Sequence, residues 1–181
     1  MAESKARDKA EIKEKADQYK VLFDFYKAEY EALRNEFYKV EDKAAKYLTS
    51  LSVLSGILLV SFKGVVSDFQ PTFLSLAQVF ILCVLIASLS TSWRFIFMVL
   101  KPVDLKTFPY NQDGIDYFNK VDLDVFYYSM SIEYVGIIST YKMAISEKTE
   151  SLNKAFSEIK LSGLVLLLFL SLIFVSNVFC S

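Results

Sequence analysis

Three stretches of this sequence carry no charged residue over lengths that match the thickness of a bilayer: Tyr47–Phe62, Thr72–Trp93 and Leu161–Ser181. A spanning helix needs about 20 apolar residues at a rise of about 1.5 Å each. The second and third stretches meet this outright, and the first does so if Lys63 snorkels its ammonium to the interface and the helix runs on to Val66. The rest of the chain is densely charged, with 20 Lys+Arg against 21 Asp+Glu, so the hydrophobic share of 54% is concentrated in these runs. A soluble bundle with three buried helices is the alternative, but such helices rarely lack charge for so long. The sequence therefore predicts an all-α membrane protein: three transmembrane helices with a cytoplasmic helical, coiled-coil-like bundle.

Composition also removes whole classes of chemistry. There is no histidine, which excludes a Ser-His-Asp triad, a Cys-His dyad and an imidazole base. Two cysteines, Cys83 and Cys180, do not make a zinc site, and both are expected in or beside the bilayer. None of the five glycines falls in a phosphate-binding loop pattern. The chain reads as a non-enzyme that needs no cofactor and no metal.

Orientation follows from basic residues. The N-terminal segment through Lys46 holds 11 Lys+Arg and Arg94–Lys160 holds 8, whereas the connection KGVVSDFQP holds only Lys63. Both large polar segments are thus placed in the cytoplasm, and the short turn and the C-terminus outside. The opening MAESKARDKAEIKEK is too charged to read as a signal peptide. The expected organisation is a cytoplasmic heptad helix over 1–46 and a transmembrane hairpin over 47–100, with spans at about 47–66 and 72–97. A cytoplasmic helical region over 101–160 and a final transmembrane helix over 161–181 follow.

From Ala2 to Tyr47 there is neither Gly nor Pro, and Ala, Glu and Lys dominate, a helix-forming composition. Apolar positions alternate at intervals of four and three through Ile12, Ala16, Tyr19, Phe23, Tyr26, Tyr30, Leu33, Phe37, Val40, Ala44 and Tyr47, a heptad seam. The pairs Glu3–Arg7, Glu11–Lys15 and Asp42–Lys46 sit at i,i+4 on the exposed faces. A seam so rich in rings suits a broad packing surface, either with other copies or with the second polar segment. Tyr19, Phe23, Tyr26, Tyr30, Leu33 and Phe37 are its expected centre. With no breaker before the first span, helix and span are expected to form one rod, so that a shift of one half can move the other.

After Trp93-Arg94, Pro102 and Pro109 bracket an irregular stretch. A short helix is predicted from about Ile115 to Tyr128 and a longer one from about Ser131 into the third span. Its expected apolar face is Val135, Ile138, Ile145, Leu152, Phe156 and Ile159. Lys142, Lys148, Lys154 and Lys160 read chiefly as a solvated, positive-inside face. Their functional alternative is a site for a phosphate-bearing ligand, with Lys142, Lys148, Lys154, Tyr134 and Tyr141 as its candidate residues. Rings at Tyr117, Phe118, Phe126, Tyr127, Tyr128, Tyr134 and Tyr141 can stack on bases, but core packing against the N-terminal seam is their first expected role. A net charge of −1 gives no general attraction to nucleic acid.

Inside the spans the informative residues are small and weakly polar: Thr49, Ser52 and Gly56 on one face of the first, and Ser75, Gln78, Ser88 and Ser92 in the second. They are expected at helix interfaces, where hydroxyls and amides bond across helices, or around a narrow pore in an oligomer. Charge-coupled transport is disfavoured, because no acid or base lies within a span apart from Lys63 near one end.

The run VEDKAAKYLTSLSVLSGILLV into the first span, the aromatic and acidic IDYFNKV, and EKTESLNKAFSEIKLSG before the last hydrophobic run together resemble SLATT-like and Pycsar-type transmembrane effectors of bacterial anti-phage systems. The resemblance is carried by the motifs at Glu41–Ala44 and Lys148–Phe156 and covers about 38–178. The third span departs from a two-span SLATT pattern. The resemblance implies a bacterial inner-membrane effector with its N-terminus cytoplasmic and its C-terminus periplasmic. It implies that the active effector impairs the inner membrane and stops growth, as in abortive infection; an ion-channel-like pore would then be a homo-oligomer, expected as a tetramer, because three helices are too few to enclose an aqueous path. A nucleotide or short oligonucleotide, made by a partner nucleotidyltransferase or cyclase, would gate it. The alternative is a membrane-anchored coiled-coil adaptor that recruits a cytoplasmic partner without conducting ions.

Overall fold

A computed structural model describes the backbone of residues 2–67, 72–108 and 112–179, with side chains over 11–63, 72–108, 112 and 114–175. Among the described residues there are four helices and no strand: α1 (Ala2–Ser67), α2 (Phe73–Leu100), α3 (Gln112–Lys120) and α4 (Leu123–Phe179). Three of them, α1, α2 and α4, are long and apolar enough to cross a membrane. Heptad helix and first span form one uninterrupted helix of 66 residues, as the lack of Gly and Pro before Tyr47 predicts. Pro109, Cys180 and the side chains of Glu3 and Arg7 lie outside the described residues.

The helix ends have local causes. Thr72 caps α2, its hydroxyl accepting the Ser75 N–H at 3.3 Å. At the other end the Lys101 N–H closes the last turn on the Phe97 carbonyl at 3.0 Å, and Pro102 stops continuation. The break between α3 and α4 falls at 121–122 and not near 128–131, so the predicted boundary is corrected. The Asp122 carbonyl accepts the Phe126 N–H at 2.9 Å, and α4 starts at Leu123, ahead of the expected Ser131. Within residues 123–131, Phe126 and Tyr127 are half-buried and Tyr128 is exposed, all as part of the long helix.

The chain divides into two compact units. The aromatic unit comprises Met1–Tyr38 and Val103–Ser146. Its core is Leu33, Phe37, Tyr134, Ile137, Ile138, Tyr141, Ala144 and Ile145. Ring pairs Tyr19–Tyr128, Tyr30–Tyr134 and Phe37–Tyr141 advance together in number, so these parts of α1 and α4 run in the same direction. The heptad seam is thus spent within the chain, on α4.

The apolar unit comprises Lys39–Pro102 and Glu147–Ser181. It therefore includes 39–46 and 147–160, which the charge pattern assigns to polar segments. Its core draws on all three long helices, with Ala44, Leu51, Leu85, Ile96, Ala155 and Phe169 fully or almost fully buried. Each helix packs through a stripe at alternating spacings of three and four. On α2 the stripe is Gln78, Leu82, Leu85, Leu89, Ser92, Ile96 and Val99. On α1 the seam continues past Tyr47 through Leu51, Leu54 and Leu58. On α4 the predicted face is buried at Leu152 here and at Ile138 and Ile145 in the aromatic unit, but Phe156 and, in the aromatic unit, Val135 are exposed; Ala155, Ser162, Leu166 and Phe169 are buried in addition.

Candidate functional site

The three lysines of the candidate phosphate site do not converge. Positions six apart on a helix lie about 240° apart around its axis. Lys142 belongs to the aromatic unit, and Lys148 and Lys154 to the apolar unit. Lys142 pairs with Glu29 at 3.0 Å and Lys154 with Glu150 at 2.6 Å, both at exposed positions. The Lys154 ammonium holds the Glu150 carboxyl below its usual range, as Lys15 does for Glu11.

Lys148 is different: only 3% of its side chain is exposed. Its ammonium donates to Glu41 Oε1 at 2.8 Å, to the Lys101 carbonyl at 3.1 Å and to the Val99 carbonyl. The last carbonyls of a helix have no intrahelical partner, and Pro102 bars α2 from supplying one. Lys148 therefore caps α2 from α4 while Glu41 on α1 balances the charge. One side chain ties three helices together inside the apolar unit.

Tyr134 and Tyr141 are core residues, each 7% exposed. Tyr134 meets Phe23, Tyr30 and Phe108 at ring separations of 5.5, 5.7 and 4.6 Å. Tyr141 meets Tyr30 at 5.4 Å and Phe37 at 5.9 Å. Burial, and then a hydrogen bond with Tyr30, push the Tyr141 hydroxyl up to about 12. The neutral phenol is the form the fold prefers. Its contribution is present below about pH 10 and lost as pH rises through 10 to 12. Tyr141→Phe is expected to reduce the alkaline loss of structure in that window, measured by circular dichroism across the titration.

The weakly polar span residues divide into two groups. Ser88 and Ser92 are buried between helices, and Gln78 is 8% exposed on the same stripe. Ser88 Oγ lies 2.9 Å from Ser162 Oγ and 3.1 Å from Glu158 Oε2, and the Ser162 hydroxyl donates to the Glu158 carbonyl at 2.9 Å. An acid that the charge pattern places just before the third span thus bonds a serine well inside the second. Ser75 is half-buried near the α2 N-cap. The other group, Thr49, Ser52 and Gly56, is exposed. The Thr49 and Ser52 hydroxyls donate to the Ala45 and Leu48 carbonyls at 3.2 and 2.9 Å, which satisfies them without a neighbouring helix. A Cβ placed on Gly56 would meet nothing within 4 Å. This face of α1 is unused by the chain's own helices because it lies off the stripe through Leu51, Leu54 and Leu58.

Among the described residues no group of three or more Cys, Asp or Glu could hold a metal ion. No protein-family model, curated protein or solved structure matches the chain.

Proposed function

We propose that the chain is a homo-oligomeric, pore-forming effector of a bacterial inner membrane, assembled through the outer face of α1. Its gating input arrives through the aromatic, cytoplasmic part, from a nucleotide-derived signal or from the partner enzyme that makes one. The observation that carries this reading is the exposed face of Thr49, Ser52 and Gly56 in an apolar helix. Small residues let helices approach closely in lipid, where packing and not water exclusion drives association. Only 11% of the most apolar window of α1 is buried within the chain, leaving that helix free to meet lipid or other copies. A pore also requires assembly, since three helices enclose no aqueous path.

Gly56→Leu tests this cleanly, because the new side chain finds open space within one copy. The variant is expected to insert and fold as the wild type does, but to appear as a monomer by mass measurement in nanodiscs. It should also leave the membrane potential of expressing cells intact, where the wild type collapses it once triggered. A wild type that never alters the potential, or a Gly56→Leu variant that conducts as well as the wild type, sinks the proposal.

The adaptor reading draws on one observation of its own. Val21 and Phe25, at i,i+4 on α1 of the aromatic unit, are exposed. A partner bound there would be lost with Phe25→Ser while the membrane potential stayed unaffected in every state.

A further inference from the structure

The geometry points to a binding site in the aromatic unit for an uncharged, planar aromatic small molecule, distinct from any phosphate site. A cavity of about 1250 Å³ lies between α3, the first turns of α4 and the segment 106–108. Five rings line it: Phe108, Tyr117, Phe118, Phe126 and Tyr134. They are organised in edge-to-face pairs, Phe108–Tyr134 at 4.6 Å and Phe118–Phe126 at 4.8 Å. Such pairs hold rings in fixed orientations, and a flat ligand of one or two fused rings fits among them by stacking. Small-molecule sites are typically apolar concavities with a few polar groups that fix orientation. Here those groups are the Tyr117 and Ser129 hydroxyls, bonded to each other at 2.9 Å, with Thr107 and Gln112.

Charge decides the class of ligand. Among the described residues, the charged side chains lining the cavity are Lys106 and Glu133, bonded at 2.8 Å, so this lining is neutral. Gly136 lets Lys106 lie against α4 and reach Glu133, since a Cβ there would come within 3.3 Å of the Lys106 ammonium. A polyanion would have to break this pair and then face Glu133. An uncharged ring keeps the pair intact. The lining side chains Ile115, Phe118 and Ile132 are each about half exposed, so apolar surface stands ready to be covered. This site does not depend on whether the membrane helices conduct.

The experiment is saturation-transfer NMR on the full chain in nanodiscs, with empty nanodiscs subtracted, using probes that share one ring system and differ in charge. β-Naphthol is expected to bind at least about tenfold more tightly than naphthalene trisulfonate, with β-naphthoate between them. Phe118→Ala is expected to weaken naphthol by about tenfold, the usual effect of removing a stacking ring. Ile115→Trp fills the cavity from an exposed position, and is expected to abolish binding without changing helicity or melting. Trisulfonate binding as tight as naphthol overturns the inference. So does naphthol binding that is unchanged in both variants, which would assign the probe to the membrane face.

Discussion

Lys148→Glu is expected to destabilise the apolar unit by roughly 3–5 kcal/mol, the scale for breaking a buried ion pair from one side. The same reversal at Lys142 or Lys154 is expected to cost about 1 kcal/mol or less, because those pairs are exposed and screened. The contrast follows from burial, 3% exposure at Lys148 against 57% and 54% at the other two. A glutamate at 148 would face Glu41 and two helix-terminal carbonyls, all of them acceptors. Glu41 keeps about a third of its surface, so the ion pair itself is partly screened and the carbonyl contacts carry much of the cost. Lys148→Met should be milder, since the stem still packs while two carbonyls lose their donor. Adding Glu41→Met to it should recover part of the loss, as replacement of a whole buried pair by apolar side chains often does. Hydrogen exchange at the amides of the last turns of α2, in nanodiscs, measures the effect. A Lys148→Glu protein protected there like the wild type would show that the clasp has no mechanical role.

Tyr134→Ala should have the largest effect on the aromatic unit, on the order of 3–5 kcal/mol, as for other buried aromatic truncations. Three rings from α1 and the 106–108 segment converge on this side chain, and the alanine would leave a void where they meet. Tyr134→Phe retains the ring contacts and should cost only about 1 kcal/mol. The predicted readout is loss of exchange protection over 134–146 in the alanine variant, with near-complete protection in the phenylalanine variant. Equal protection in the two would mean that the rings merely fill space around a core held by Leu33, Ile137 and Ile138.

Much of the architecture is legible in the sequence because it depends on length and charge. A run without charge for about 20 residues has few stable fates, and the absence of Gly and Pro up to Tyr47 leaves helix as the default. The α1 seam is legible for the same reason, since its rings recur at three and four without interruption. The α4 stripe is legible only in part: Leu152 and Ile159 of the expected face lie on it and Ile138 and Ile145 are buried beside it, but the full run is Tyr134, Ile137, Tyr141, Ala144, Lys148, Leu152, Ala155, Ile159, Ser162, Leu166 and Phe169. Lys148 and Ser162 look polar in isolation, and a face sought through aliphatic residues passes beside them to Val135 and Phe156.

Helical structure, three helices suited to a membrane and breaks near Thr72 and Pro102 can all be read along the chain. Those properties arise from neighbours along the chain: propensity, capping, charge-free length. What each polar residue does depends on which helix packs against it. A lysine becomes a clasp because the last carbonyls of α2 are held beside it. Ser88 becomes part of a network because Glu158 and Ser162 arrive from 70 and 74 residues away. Thr49, Ser52 and Gly56 remain on an outer face because the stripe through Leu51 and Leu58 turns them outward. None of these distances is encoded in local pattern, since each depends on which helix packs beside which.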